Sequence, residues 1–161
     1  MVSSTLLRRK LETFLAMRGA DRLLVCEAVA MLALSRLIVL TVPFRYVAAW
    51  LSGAPETSSC DEALRLRVRK AVTTGARNVP WNAVCLPQAM AAKAMLARRG
   101  CGAALYLGAT IDTSGALIAH AWLVSGGEVV IGAAGIPGMS PLARFGSCGA
   151  AKRNAAQCVC E

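Results

Sequence analysis

Near residue 103 the hydrophobic pattern changes period, and that change restricts the chain to one class of fold. From Ala103 on, "AALYLGATID", "GALIAHAWLV" and "GEVVIGAA" are short runs rich in Leu and β-branched residues, separated by "TSG" and "SGG". Such runs joined by tight turns predict three antiparallel strands. Before that point apolar residues recur at helical spacing. Leu6, Leu7, Leu11, Phe14 and Leu15 line one side of residues 4–17, with Arg8, Arg9 and Lys10 on the other, and Gly19 ends the stripe. Asp21 is then expected to cap a second helix that Pro43 terminates. "DEALRLRVRKAVTTGARN" predicts another helix. Helices followed by strands give an α+β fold, a helical N-terminal part packed with a small antiparallel β-sheet.

A chain of 161 residues is expected to form a single domain. Its parts are a helical front at 1–55, a core at 56–145 and a flexible tail at 146–161. The Pro/Gly/Ser-rich "SGAPETSSC", residues 52–60, separates front from core.

Composition matters because 56% of the residues are apolar and only 17% charged, so a large apolar surface needs a cover. The segment before Pro43 resembles a membrane span. However, Glu27 and Arg36 cut it into uncharged runs at 28–35 and 37–44, well short of the roughly 18 residues a span needs. Those two charges lie on opposite faces of a helix and cannot neutralise each other. A core or partner-docked helix is expected, and membrane association is not favoured. The net charge of +9 suits acidic peptides, anionic lipid or nucleic acid. Nucleic acid is set aside, because three Phe and two Tyr give few stacking platforms and no zinc-finger or RNA-recognition pattern occurs. Seven cysteines, an odd set, do not form the framework of a small secreted domain. The N-terminus carries charges where a signal peptide has its apolar run, so a reduced, cytoplasmic protein is expected. "CVCE" has the wrong spacing for zinc, and no Gly-rich loop with a Lys is present, so neither a metal nor another cofactor is expected.

The chemistry centres on "WNAVCLPQAMAAKAMLARRG", Trp81 to Gly100. Leu86, Met90, Ala94 and Ala97 recur at helical spacing, Lys93, Arg98 and Arg99 lie off that face, and Gly100 stops the helix. Pro87 lacks an amide proton and belongs in a first turn, which puts Cys85 at the helix N-terminus. Free amide protons and the helix dipole favour a thiolate there. A thiolate nucleophile needs a proton shuttle, and His120 is the single histidine in the chain. In "LIAHAWLV" it shares a strand face with Ile118 and Trp122, opposite Ala119 and Ala121. The larger side chains read as the core side, which would aim His120 at the helices and Cys85. Asn82 and Gln88 flank Cys85 as candidate oxyanion donors. The plainer alternative is a small buried cysteine and a satisfied core histidine.

The run from Trp81 through "CLPQAMAAKAMLARRG", followed by "LYLGA", "AHAWLV" and "GGEVVIG", resembles the transglutaminase-like leader peptidases of lasso-peptide gene clusters, the B proteins. With "DRLLVCEAVAMLALSRLIVLTVPF" the resemblance covers roughly residues 15–145. It implies a transglutaminase-like or papain-like cysteine protease that cuts the leader from a precursor peptide before an asparagine-synthetase-like cyclase closes the macrolactam. Cys85 matches the family nucleophile and His120 the family base, with Trp122 of "HAW" supporting the pocket. No leader-recognition segment is found in residues 1–55, so a stand-alone peptidase half is expected, with a recognition protein in trans. The family carries an acid about twelve residues after the histidine, where this chain has Gly132. A hairpin centred on Gly126 and Gly127 would pair His120 with Ala133. The expectation is therefore either a Cys-His dyad whose histidine has a backbone or water partner, or a stand-in among Asp112, Glu128, Asn82 and Gln88. A transglutaminase-like acyltransferase and a weakened or non-catalytic scaffold for precursor or cyclase are the rival readings.

Overall fold

A computed structural model describes residues 12, 16–52 and 60–146. The expected helix over 4–17 (except residues 12, 16 and 17), the linker at 53–59 and the tail from 147 lie outside the described residues. Among the described residues, four helices precede a four-stranded antiparallel sheet. They are α1 (Gly19–Thr41), α2 (Phe44–Ser52), α3 (Glu62–Asn78) and α4 (Cys85–Ala97). The strands are β1 (Ala104–Ile111), β2 (Leu117–Ser125), β3 (Glu128–Ile131) and β4 (Ser140–Phe145), in spatial order β3-β2-β1-β4. The fold is α+β. The fourth strand was not expected, and it pairs with β1 at the free edge, where its Pro141 is tolerated.

Local chemistry sets most boundaries. Pro43 ends α1, whose last residues give way to an extended Val42. Asp61 caps α3 by accepting a hydrogen bond from the Ala63 amide. Asp21 does not cap α1 as expected. It lies inside the first turn, where its carboxylate accepts from Arg67 of α3 at 3.2 Å. Gly100, with φ +72°, closes α4.

Helix α4 is the hub. α1 and α3 contact it from one side and β2 from the other. Ala89, Met90, Ala91, Ala92, Met95 and Leu96 are all buried, so the helix is enclosed around nearly its whole circumference. Alanines let neighbours approach closely, while Leu32, Leu105 and Leu123 fill the remaining space. Truncating one such leucine costs about 2–5 kcal/mol. Lys93, expected off the buried face, is enclosed with the rest at 3% exposure. Its ammonium donates to the carbonyls of Ala103 at 2.6 Å and Phe145 at 3.3 Å. Burial pushes its pKa down from 10.5 to about 8.

The interrupting charges of α1 both find partners, at opposite ends of α4. Glu27 pairs with Arg99 and Arg98 just beyond the helix C-terminus. The Arg99 hydrogen bond, aided by both positive charges, holds the Glu27 carboxyl below its usual range against partial burial. Arg36 donates to the Asn82 carbonyl at 2.9 Å, just before the helix N-terminus. By length and composition α1 is apolar enough to cross a membrane. Leu24, Val25, Ala28 and Leu32 nonetheless join the protein core, while Leu23, Leu34, Leu37 and Leu40 remain exposed. The thiols also differ from the expected reduced set. Cys60 and Cys101, 41 residues apart, form a disulfide with Cα atoms 5.0 Å apart, tying the start of α3 to the α4–β1 connection.

Candidate active site

Cys85 is the first residue of α4, and Pro87 falls in the first turn, where no intrahelical donor is needed. Its thiol is free and half-buried, and it touches the edge of the hydrophobic core. Side chains reach back to two carbonyls of the preceding loop. Arg36 binds the Asn82 carbonyl, and Gln88 turns back to donate to the Ala83 carbonyl. Gln88 is thereby committed to the loop. Asn82 is exposed, and its recorded contact is through its backbone. The indole N–H of Trp81, four residues before Cys85, is buried with no hydrogen-bond partner among the described residues. A buried donor left unpaired is costly unless something else binds it.

His120 stands opposite Gly108 on β1. The expected pairing with Ala133 does not form. A bulge at Val130 shifts the β2–β3 register, the last pair is Leu123 with Ile131, and the chain then turns through Gly132 into a short 3-10 turn at Ala133–Gly135. The expected direction of the ring is also reversed. Leu105, Leu107, Ala121 and Leu123 make up the sheet face that joins the helices. His120, Trp122 and Tyr106 share the other face, where Trp122 is buried by stacking on Tyr106 at 5.6 Å. Both faces of the sheet are covered, so side-chain size did not reveal which one meets α4.

The position of His120 along the strand matters more. Residues 117–119 of β2 are exposed, His120 is half-buried and 121–125 are buried, so the cover stops at the histidine. Ser125 at the other end donates to the Gly102 carbonyl at 2.7 Å, just past the C-terminus of α4. The His120 ring stands on the sheet face opposite the one that packs on α4, the helix that begins with Cys85. No hydrogen bond joins the two side chains among the described residues.

The imidazole is oriented by main chain. Its Nε2 lies 2.8 Å from the Gly132 carbonyl oxygen. A carbonyl only accepts, so Nε2 carries the proton and Nδ1 keeps its lone pair. Gly132 itself has φ +87°, and a Cβ there would lie 2.6 Å from the Ala121 carbonyl and 2.9 Å from Cβ of Trp122. No acidic side chain fits at that position without moving the strand. Gly135 forms the flat wall behind the ring, because a Cβ there would lie 2.5 Å from Nε2.

Residues 28–144 match the transglutaminase-like superfamily. The chain belongs to that superfamily. Its members are in general cysteine peptidases and acyltransferases. No curated protein and no solved structure matches.

Against that transglutaminase-like background the proposed stand-in acids are placed elsewhere. Asp112 accepts from the Ser114 hydroxyl at 2.6 Å and from the Ser114 and Ala116 amides, closing its own turn. The Ser114 bond, with the backbone amides, holds its carboxyl below the usual range. It sits four residues beyond Gly108, roughly 13 Å along the strand from His120. Glu128 is paired with Arg65 at 3.1 Å, and its register partner is Ser125. Neither engages the histidine. Of the alternatives expected for His120 the structure has the backbone partner, the Gly132 carbonyl, while the contact of Arg36 was not foreseen. A main-chain oxygen has no residue signature, and the Arg36 contact spans 46 positions.

Proposed function

We propose that this chain is a cysteine peptidase that removes the leader from a lasso-peptide precursor, ahead of macrolactam closure by a separate asparagine-synthetase-like cyclase. The observation that carries the catalytic part is the hydrogen bond from His120 Nε2 to the Gly132 carbonyl, because it leaves Nδ1 as the base. A triad carboxylate does the same for its imidazole. Nδ1 takes the thiol proton as Cys85 Sγ attacks the scissile carbonyl. Sγ–C bond formation gives a tetrahedral oxyanion, for which the Cys85 amide at the start of α4 is the donor. The imidazolium returns the proton to the departing amine, and water, deprotonated by the same nitrogen, hydrolyses the thioester. His120 lies on the sheet face away from α4, and among the described residues no hydrogen bond joins it to Cys85, so the proton transfer requires nucleophile and base to be brought together when substrate binds.

Leader removal specifically is supported by the sequence resemblance over the nucleophile helix and the "AHAW" strand. A recognition protein in trans would present the leader, and the exposed Leu34, Leu37 and Leu40 of α1 offer a surface for it or for the cyclase. The test uses a cognate precursor, its recognition protein and mass spectrometry. Cys85→Ala and His120→Ala should each abolish cleavage while the precursor still binds. Cleavage surviving the Cys85 change would refute the assignment. Release of an amide product when amines are added would favour the acyltransferase reading, since an amine and water compete for the same thioester.

A further inference from the structure

An arginine inside an apolar helix is expensive unless it is used. In α1 the flanking residues are Ser35, which is buried, and Leu37, which is exposed, so Arg36 sits at the helix's contact edge. Its guanidinium reaches across to the Asn82 carbonyl at 2.9 Å, a main-chain atom three residues before Cys85. That carbonyl belongs to the loop 79–84, which has no regular structure and which enters α4 through Val84, an N-cap without a side-chain hydrogen bond. The loop's other ties are local: the Gln88 side chain and amide donate to the Ala83 and Val84 carbonyls, and the Val79 amide donates to the Gly75 carbonyl. Arg36 is thus the long-range hydrogen bond that fixes the approach to the nucleophile. At the far end of the same helix Glu27 holds Arg98 and Arg99. The two α1 charges brace α4 at both ends, and the Arg36 end is the chemical one.

We propose that Arg36 is a positioning residue for Cys85. By pinning the Asn82 carbonyl it sets where α4 begins, and so where Sγ stands relative to the substrate carbonyl. The inference rests on the peptidase reading for its kinetic consequence, but not for its chemical one, since the reactivity of the Cys85 thiol can be read without any substrate.

The experiment compares wild type, Arg36→Met, Arg36→Lys and Glu27→Gln for thermal midpoint, for the rate of Cys85 alkylation by iodoacetamide at neutral pH, and for kcat and KM on the precursor. Alkylation is followed on the Cys85 peptide by mass spectrometry, with the exposed Cys26 as internal reference. Arg36→Met should slow Cys85 alkylation and lower kcat, each by on the order of tenfold, with KM and Cys26 reactivity within about twofold. Arg36→Lys, which keeps a donor on a shorter arm, should recover part of both. Glu27→Gln should lower the thermal midpoint yet leave Cys85 alkylation unchanged, which separates positioning from bulk stability. Cys85 alkylation and kcat at wild-type values in folded Arg36→Met would overturn the proposal. If Arg36→Met does not fold, the same comparison in Arg36→Ala decides, and wild-type values there overturn it equally. Unaltered cleavage by Cys85→Ala, with alkylation still slowed in Arg36→Met, would sink the peptidase reading and leave the positioning role standing.

Discussion

Lys93 is a charge enclosed in the central helix with two neutral carbonyls as its partners, and this makes stability depend on pH in an unusual direction. Its pKa is about 8 in the folded protein, where an exposed lysine has 10.5. Below the folded value both states hold the proton, and the folded state bears the whole burial penalty. Between the two values the folded state has released its proton while the unfolded chain keeps it. Stability therefore rises with pH across that window and levels off above it. A gap of this size corresponds to about 3 kcal/mol over the full window, and linkage gives about 1.3 kcal/mol of it between pH 7 and pH 9. Lys93→Met removes the titration and also removes the donor to Ala103 and Phe145. The assay is urea denaturation of both proteins at the two pH values. Wild type should gain about 1 kcal/mol relative to the variant on going to the higher pH, since all other groups titrate in both. Parallel stability curves would refute the reasoning, because they would mean that Lys93 reaches solvent in the folded state.

The glycine wall around His120 gives two more predictions. Gly132→Asp should not restore an acid to the site. At φ +87° and with Cβ 2.6 Å from the Ala121 carbonyl, it should destabilise by about 2–4 kcal/mol in denaturant titrations. Gly135→Ala should push the imidazole off the Gly132 carbonyl, lowering kcat by on the order of a hundredfold with a smaller loss of thermal stability. A non-reducing peptide map should contain a linked Cys60–Cys101 pair, and its reduction should lower the unfolding free energy by about 4 kcal/mol for a 41-residue separation.

Much of this architecture follows from local signals. Pro87 and Gly100 bracket α4, and the turn residues between the apolar runs separate β1, β2 and β3. What escaped was set by distant neighbours. Alternation shows that His120 and Trp122 share a face but not which face meets the helices. Here the smaller Ala121 side packs on α4, and the larger side is covered by Tyr106 and the 132–139 crossover. Lys93 was misplaced because a helical stripe assumes one wet side, and α4 has almost none. β4 was missed because "SPLARF" has a proline and an arginine in six residues, acceptable at a sheet edge and uninformative in isolation.

The atom that orients His120 belongs to the peptide unit linking Gly132 to Ala133. It therefore has no codon of its own. Side-chain scanning across β3 and the following turn can move that oxygen but never delete it, so no side chain there should emerge as the acceptor itself. Only an edit of the main chain itself, such as replacing the Gly132–Ala133 amide by an ester and weakening the acceptor, would address it directly.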